Sequence, residues 1–250
     1  MMKVRPPAFL LTLLSVIALW ATVTETGLLR HRAVAGPVDT GRALLEGFAD
    51  GTLGADLGAT ALRVVLGVGL GLLVGLPLGS WIGTSTRRRD LFEPGMDFLR
   101  AIPPLLVFPL LLLVFGYDDR ARVGVVAYAA ALVIALYVVA GIRRARPERV
   151  RVLRAMGASR WQMLRWLHFY EVLPGSMIAL RHAVATGLVV AVVTEMVVGA
   201  PAGLGSRAVN AQIAYDAPGI YAVILLTGVV GSLAGHALLA LERRVIFWSG

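Results

Sequence analysis

Two ionisable side chains, Arg63 in "TALRVVLG" and Glu195 in "VVTEMVVG", lie inside long apolar stretches of the sequence. A lone charge in the middle of a bilayer costs about 2.5–3.5 kcal/mol even on a forgiving scale, so such a group usually faces water or an opposite charge. If both stretches are helices rising about 1.5 Å per residue, the two side chains lie within roughly one helical turn of each other in depth. We therefore expect an Arg63–Glu195 ion pair near the outer end of a transport pathway. The alternative is that each side chain reaches the membrane interface separately.

The sequence offers little other chemistry. It has no cysteine, and its four histidines (His31, His168, His182 and His236) share no spacing typical of metal ligands. The motifs of nucleotide-binding loops, serine hydrolases, zinc proteases and dinucleotide-binding folds are all missing. We therefore expect a non-catalytic chain that binds no metal and no cofactor, so that any energy must come from another subunit.

The composition indicates an integral membrane protein. Of the 250 residues, 58% are hydrophobic and 16% charged, and the mean hydropathy is +0.77. A helix of about 20 apolar residues crosses a hydrocarbon core about 30 Å thick. The sequence predicts an all-α chain with six transmembrane helices, at 8–24, 57–84, 96–115, 122–142, 172–198 and 218–241. No small-x-small cleavage site follows the first of them, so we expect it to be retained rather than removed as a signal peptide.

The basic residues are unequally divided between the two sides. Most of the 24 would lie on the side of the termini, at Lys3, Arg5, Arg87, Arg88, Arg89, Arg100, Arg243, Arg244 and the arginines of residues 143–165. The other side would hold Arg30, Arg32, Arg42, Arg120, Arg122 and Arg207. Because basic loops stay in the cytoplasm, we expect both termini to be cytoplasmic and the chain to lie in the cell (inner or plasma) membrane, in contact with lipid. The same rule accounts for the net charge of +9 without nucleic-acid binding.

The third apolar stretch contains Pro103, Pro104 and Pro109, and helix is disfavoured just before a proline. We expect residues 90–100 to form a separate helix at the cytoplasmic surface. Broken helix at membrane depth needs protein or water around it, so Pro103 and Pro104 are candidates for lining the pathway. A kinked structural helix is the alternative.

Glycine recurs at every fourth position of the second stretch, at Gly67, Gly71, Gly75, Gly79 and Gly83. Such a stripe allows another helix to approach closely. Just before it, "TGRALLEGFADGTL" is a short amphipathic piece, which either lies on the membrane surface or is a plain connector.

Residues 143–171 carry eight arginines interleaved with apolar residues at helical spacing. This pattern predicts two short amphipathic helices separated at Gly157, with Ser159 as the N-cap of the second. Pro174 is expected in the first turn of the following membrane helix, where proline is tolerated. Basic helices lying on anionic lipid are the alternative, but they leave the positions of Gly157 and Pro174 unexplained.

The segment "RVLRAMGASRWQMLRWLHFYEVLPG" resembles the cytoplasmic loop of ABC importer permeases of the nitrate, sulfonate and taurine type. The stretches "LRVVLGVGLGLLVGLPLG", "LRAIPPLLVFPLLLLVFG" and "VVTEMVVGAPAGLG" resemble three other parts of that family. The resemblance covers roughly residues 56–245 and implies the type I ABC importer permease fold. It implies a permease core over 56–245 with a coupling loop at 143–171, preceded by an N-terminal helix and external segment over 1–55.

In such permeases, a short helix of this loop docks on a cytoplasmic ATPase, which binds the ATP and Mg²⁺. The resemblance implies an ABC ATPase dimer, a second permease copy or paralogue, and an extracytoplasmic solute-binding protein as partners. The coupling residues carried over are Arg151, Arg154, Ala155, Met156, Gly157, Ala158, Ser159, Trp161 and Pro174. The chain departs from the family at residues 151–153, where relatives have an acidic residue and two alanines, and at Tyr170, where they often have a second proline.

The resemblance implies a small hydrophilic solute such as nitrate, bicarbonate, an alkanesulfonate, taurine or a pyrimidine vitamin precursor. A stand-alone secondary transporter or channel is the alternative from another class. It would favour internal repeats and several polar groups at mid-membrane, and we find no clear repeat. A membrane scaffold without transport is a further alternative, which the coupling loop and the broken third stretch make less attractive.

Overall fold

The computed structural model describes residues 6–25, 34–143, 152–153, 155–157, 159, 162 and 169–246, and these residues form helices and turns without a strand. The all-α architecture is therefore confirmed. The helices are α1 (Pro6–Glu25), α2 (Pro37–Ala49), α3 (Thr52–Gly83), α4 (Thr86–Ala101), α5 (Pro104–Phe115), α6 (Asp119–Arg143), α7 (Phe169–Val198), α8 (Leu204–Ile213) and α9 (Ala217–Val245).

Four helices of the described part, α3, α6, α7 and α9, are long and apolar enough to cross a membrane, and the bent pair α4–α5 makes a fifth crossing if it is counted as one. The helix expected at 8–24 is present as α1. A sixth crossing, by this helix, stays a prediction.

Helices α3 and α6 pack side by side in the same direction, and the glycine stripe forms their contact. A Cβ added at Gly67 would lie 2.5 Å from Val126, and one added at Gly75 would lie 2.5 Å from the Ala131 carbonyl oxygen. Helix α6 presents small residues to the stripe, and Ala130 and Ala135 are completely buried. The predicted close helix partner is therefore α6.

The third apolar stretch is divided between two helices, α4 and α5. A single straight span over 96–115 was therefore wrong, because the break at residues 102 and 103 lies inside it. Helices α4 and α5 meet at an angle of 87° across residues 102 and 103, and Pro103 is the N-cap residue of α5. The pair rises along α6, because Glu93 lies 3.5 Å from Arg143 near one end of α6 and the Tyr128 hydroxyl donates to the Leu99 carbonyl halfway along it. The separate helix expected at 90–100 is present as part of α4.

Helix α7 runs opposite to α3 and α6. Its Gly187 lies against Val68 and Val126, while its Gly175 lies near Gly141 towards the other end of α6. The helix already includes Phe169, so Pro174 lies inside it rather than in its first turn, and that expectation was wrong. A proline there cannot donate to the carbonyl of residue 170, which leaves one open position in the backbone ladder.

The two ends of this bundle have different structures. At the end where α7 finishes, which we call the Glu195 end, α2 and α8 cover the start of α3 and α9 with a small apolar core around Leu53, Leu204 and Val223. Residues 40–49 of the "TGRALLEGFADGTL" piece are helical here as part of α2, and its last two residues begin α3. At the opposite end, which we call the Arg143 end, Arg181 of α7 lies 3.2 Å from Glu242 of α9.

Candidate functional site

Arg63 and Glu195 form a buried ion pair at the Glu195 end. Nη1 of Arg63 lies 2.6 Å from Oε1 of Glu195, and the two side chains are 4% and 0% exposed. The expected pair is therefore present in the structure. Full burial means that the two side chains do not snorkel separately, and each must satisfy its remaining hydrogen-bonding groups within the protein.

Helix α3 and the start of α8 supply the other hydrogen-bond donors to the Glu195 carboxylate. The Thr60 hydroxyl lies 3.0 Å from both carboxylate oxygens, and the Gly205 amide donates to Oε2 at 2.9 Å. The Leu204 amide donates in turn to the Thr60 hydroxyl, also at 2.9 Å. The first turn of a helix has unpaired amides and a partial positive charge, so a carboxylate is favourable there.

Asp119 forms a second ion pair with the Arg63 guanidinium. Its carboxylate accepts from Nε of Arg63 at 2.9 Å and from Nη1 of Arg122 at 3.1 Å. Arg63 also donates to the Ala202 carbonyl at 2.8 Å, and Arg122 donates to the Gly199 carbonyl. Two arginines on different helices thus hold the connection between α7 and α8 by its carbonyl groups.

A third attachment lies at the outer edge of this connection. Asp56 accepts from the Gly203 amide at 2.8 Å and from Arg207 at 3.1 Å. The Ser206 hydroxyl accepts from the Ala200 amide at 2.7 Å. We call Asp56, Thr60, Arg63, Asp119 and Glu195, together with the residues 199–205 that they hold, the Glu195 clasp.

The clasp packs so closely that Gly203 and Gly205, the two glycines of "GLG", leave no room for a side chain. A Cβ on Gly203 would lie 2.6 Å from the Glu195 carboxylate and 2.9 Å from Nη1 of Arg63. A Cβ on Gly205 would overlap the Val192 carbonyl oxygen and lie 2.7 Å from the Glu195 Cβ. Any side chain here would push the loop away from Glu195, because real Cβ contacts are not this short.

The pathway-lining role expected for Arg63 and Glu195 stays a prediction. Both side chains are buried within the described part of the protein. Pro103 and Pro104 lie elsewhere, at the α4–α5 bend. Pro103 is exposed and Pro104 half-buried. The structure therefore does not bring the four expected pathway residues into one site.

An open groove of about 540 Å³ adjoins the clasp between α2, α3, α8 and the start of α9. Asp56 of α3 and Arg207 of α8 line it, together with Asp50 at the end of α2. The Thr52 amide and hydroxyl donate to the Asp50 carboxylate and hold its pKa below the ordinary value.

The described part of the coupling loop contains the turn that the sequence predicts. Gly157 has a left-handed backbone with φ +75°, and the Met156 amide donates to the Val152 carbonyl just before it. After it, Ser159 and Gln162 cap each other, since each backbone amide donates to the other's side chain, at 2.8 and 3.2 Å. This reciprocal arrangement is a capping box and marks a helix start.

The exposed surface of this loop includes apolar side chains. Val152 is 57% exposed and Met156 is 76% exposed, four residues apart and hence on one face of a helical turn. Ala155 and Ser159 are exposed as well. Of the other expected coupling residues, Arg151, Arg154, Ala158 and Trp161 lie outside the described residues.

Sequence reasoning missed most of the clasp. Thr60, Asp56 and Asp119 gave no signal, because a threonine and two carboxylates near helix ends are ordinary features. Arg122 and Arg207 were considered only as charges on the outer side. The available signal was the two glycines of "GLG" so soon after a buried glutamate, which indicates close backbone approach.

Comparison with known proteins agrees with this architecture. A family model described as "Binding-protein-dependent transport system inner membrane component" matches residues 67–247. The taurine transport system permease protein TauC of Escherichia coli is 28% identical over 244 residues, which cover 96% of this chain and 88% of TauC. The putative aliphatic sulfonates transport permease protein SsuC of Bacillus subtilis is 26% identical over 233 residues, 93% of this chain and 84% of SsuC.

Among solved structures, a chain of the inward-facing MetNI methionine ABC transporter superposes with a TM-score of 0.70 at 22% sequence identity, over 78% of this chain and 96% of that chain. The fold is therefore that of type I ABC importer permeases. With a family model spanning most of its length, the chain belongs to the binding-protein-dependent transport system inner membrane components and is a permease subunit of an ABC importer.

Proposed function

We propose that this permease imports a small sulfonate-type solute, such as taurine or an alkanesulfonate, and that its exposed coupling loop receives the force of a separate ATPase dimer. The observation that carries the proposal is the loop itself, in which a helical turn with Val152 and Met156 exposed ends at left-handed Gly157 and is followed by a capped helix start. An exposed apolar turn of this kind is suited to a groove on a partner protein.

The solute class is supported by the relatives that match nearly the whole chain, TauC and SsuC, whose names specify taurine and aliphatic sulfonates. A nitrate, a bicarbonate or a pyrimidine vitamin precursor is the second candidate, from the sequence resemblance. Selection among them would lie mostly with the external solute-binding protein, because the arginine in the groove beside the clasp, Arg207, is already paired with Asp56.

We further propose that the Arg143 end and the coupling loop are cytoplasmic and that the Glu195 end faces outward. This orientation is supported by the basic residues of the coupling loop and of the end of α9. Two copies of the chain, or one copy and a paralogue, would enclose the pathway within the lipid bilayer. The chain itself would bind neither ATP nor Mg²⁺, which belong to the ATPase.

Reconstitution tests the proposal. The permease is assembled in proteoliposomes with its ATPase and its solute-binding protein, and ATP-dependent uptake of labelled taurine is measured, with alkanesulfonate, nitrate and the pyrimidine precursor as competitors. Gly157→Val should uncouple ATP hydrolysis from uptake, because a β-branched residue is strongly disfavoured at positive φ. Among the described residues, no atom beyond the chain neighbours lies within 4 Å of a Cβ at Gly157, so the effect reports backbone conformation.

Gly157→Asn is the matched control, because asparagine tolerates the left-handed conformation, and it should keep most of the coupling. Uptake at the normal rate in the absence of the ATPase would overturn the ABC mechanism in favour of a secondary transporter. If labelled taurine is not taken up but labelled nitrate, bicarbonate or pyrimidine precursor is, in an ATP-dependent manner, the mechanism stays intact and the solute class is replaced.

A further inference from the structure

We infer that Glu195 is a positioning residue that makes α7 and α8 one mechanical unit, so that events at the external binding-protein surface reach the coupling loop through α7. The inference rests on the proposed function, because it assumes an ATPase at one end of α7 and a solute-binding protein at the other. It assigns to the Glu195 clasp the role of transmission rather than of contact with the solute.

Helix α7 is the element that connects the two ends. It follows the coupling loop and continues from Phe169 to Val198. Glu195 lies three residues before its end, about 40 Å from its start at 1.5 Å per residue. From Phe169 onward, a displacement therefore reaches Glu195 along one continuous helix, with Pro174 as its only interior proline.

The covalent link from α7 to α8 is weak as a mechanical connection. Helix α7 ends at Gly199, with φ +75°, and α8 begins after Gly203, and both glycines could act as hinges. The clasp removes this freedom, because the amides of Gly203, Leu204 and Gly205 donate to Asp56, Thr60 and Glu195 in turn. The first turn of α8 is thus held by side chains of α3 and α7.

Helix α8 leads to an exposed surface at the Glu195 end. Ile213 is 71% exposed and Tyr215 is 88% exposed, and Tyr215 has a left-handed backbone with φ 55°. A non-glycine residue in this conformation is strained and needs local support. The groove of about 540 Å³ lies beside it. A protein that binds this surface displaces α8, and the hydrogen bonds of the clasp transmit that displacement to α7.

The alternative is that the clasp only stabilises the fold. The two roles differ in one measurable ratio, which is the rate of ATP hydrolysis with loaded solute-binding protein divided by the rate without it. Loss of stability lowers the amount of assembled transporter and affects both rates together. Loss of transmission lowers the ratio in transporter that remains assembled.

The experiment uses the complete transporter in proteoliposomes, with the assembled fraction measured by size-exclusion chromatography. Glu195→Gln and Thr60→Val should each lower the stimulation ratio and the uptake rate about tenfold, which is within the usual range of coupling between sites. Thr60→Ser keeps the hydroxyl and should restore the ratio. Asp97→Asn, which removes the carboxylate of an exposed pair with Arg100 on α4, is the matched control and should keep the wild-type ratio.

An unchanged ratio in assembled Glu195→Gln and Thr60→Val transporters would overturn the inference. If the wild-type transporter itself shows neither uptake nor stimulation, the proposed function fails instead, so the two failures are distinguishable.

A second measurement needs no variant and can overturn the inference even if the substituted chains fail to assemble. Hydrogen exchange of the peptide spanning residues 199–207 is followed in the wild-type transporter, without nucleotide and after trapping with ATP and vanadate. The amides of Gly203, Leu204 and Gly205 should stay protected in both states, because a transmitting clasp must remain closed. Fast exchange of these amides in the trapped state would show that α8 separates from α7, and the inference would fail.

Discussion

Thr60 and Glu195 face each other in the interior of the bundle, with the threonine hydroxyl 3.0 Å from both carboxylate oxygens and neither side chain exposed. The hydroxyl has one proton to donate to the carboxylate and a lone pair for the Leu204 amide, 2.9 Å away. A single side chain of α3 thus links the end of α7 to the start of α8. The charge of Glu195 is balanced by Arg63, but its orientation depends on uncharged groups.

Thr60→Val should destabilise the protein although it nearly preserves the side-chain shape. The variant leaves the Leu204 amide without an acceptor and Glu195 without one donor, and an unsatisfied buried group costs about 1–3 kcal/mol. Thr60→Ser, which keeps the hydroxyl, should lose much less. The measurement is thermal unfolding of the purified permease in detergent, and equal melting temperatures for the two variants would contradict the role given to the hydroxyl.

Exchanging the charges of the ion pair should not restore the protein. In the double variant Arg63→Glu with Glu195→Arg, a guanidinium at position 195 cannot accept from the Gly205 amide, and a carboxylate at position 63 faces Asp119. Breaking a buried ion pair costs about 3–5 kcal/mol, and we expect the double variant to recover little of this. The yield of folded permease, measured by fluorescence size-exclusion chromatography, checks the prediction. Full recovery would show that only the opposite charges matter.

Gly205→Ala should destabilise the protein. The added methyl group overlaps the Val192 carbonyl and the Glu195 side chain, and overpacking of this kind costs about 1–3 kcal/mol. Gly58→Ala on α3 is the matched control, because Gly58 is exposed and no atom lies within 4 Å of a Cβ there. Alanine is favoured over glycine in a helix, so the control should be neutral or slightly stabilising in the same unfolding measurement. A Gly205→Ala protein as stable as Gly58→Ala would contradict the packing.

The sequence was sufficient to predict most of the helices and one pair of interacting side chains, and the physical reasons can be identified. Long apolar stretches must be helical in a bilayer, because every backbone amide needs a partner there. Arg63 and Glu195 could be paired because an isolated charge at that depth is costly and only two such residues were present. The glycine stripe correctly predicted a close helix contact, although the partner, α6, was not known.

The parts that were missed depend on tertiary structure. Asp119 begins α6 and Thr60 lies on an apolar helix, so neither position shows that the two side chains meet the same ion pair. Helix α8 has no long apolar run, so its residues were left between two predicted crossings without an assignment. The position of Pro174 was wrong because helix α7 starts before the proline, and a proline is compatible with either place when considered alone.

Met156→Asp should weaken the complex between permease and ATPase. Met156 is 76% exposed and shares a face with Val152, so a carboxylate there places a charge where we propose an apolar contact. Met156→Leu keeps the apolar character and is the control. Co-purification of the ATPase with a tagged permease measures the effect, and we expect a decrease of about tenfold or more, which corresponds to about 1.4 kcal/mol. Equal co-purification with both variants would exclude Met156 from the contact.

The proposed orientation predicts which residues can be labelled from outside the cell. The chain has no cysteine, so single cysteines can be introduced without a background. Tyr117, 83% exposed in the turn between α5 and α6, lies at the Glu195 end, whereas Met156 belongs to the coupling loop. In intact cells a membrane-impermeant maleimide should modify Tyr117→Cys, and it should modify Met156→Cys only after the membrane is permeabilised. Since the helices that connect the two positions are fixed by the glycine stripe and by the Glu195 clasp, the reverse pattern would invert the whole bundle. It would place the coupling loop outside, where no ATP is available, and would thereby exclude the ATPase contact proposed for that loop.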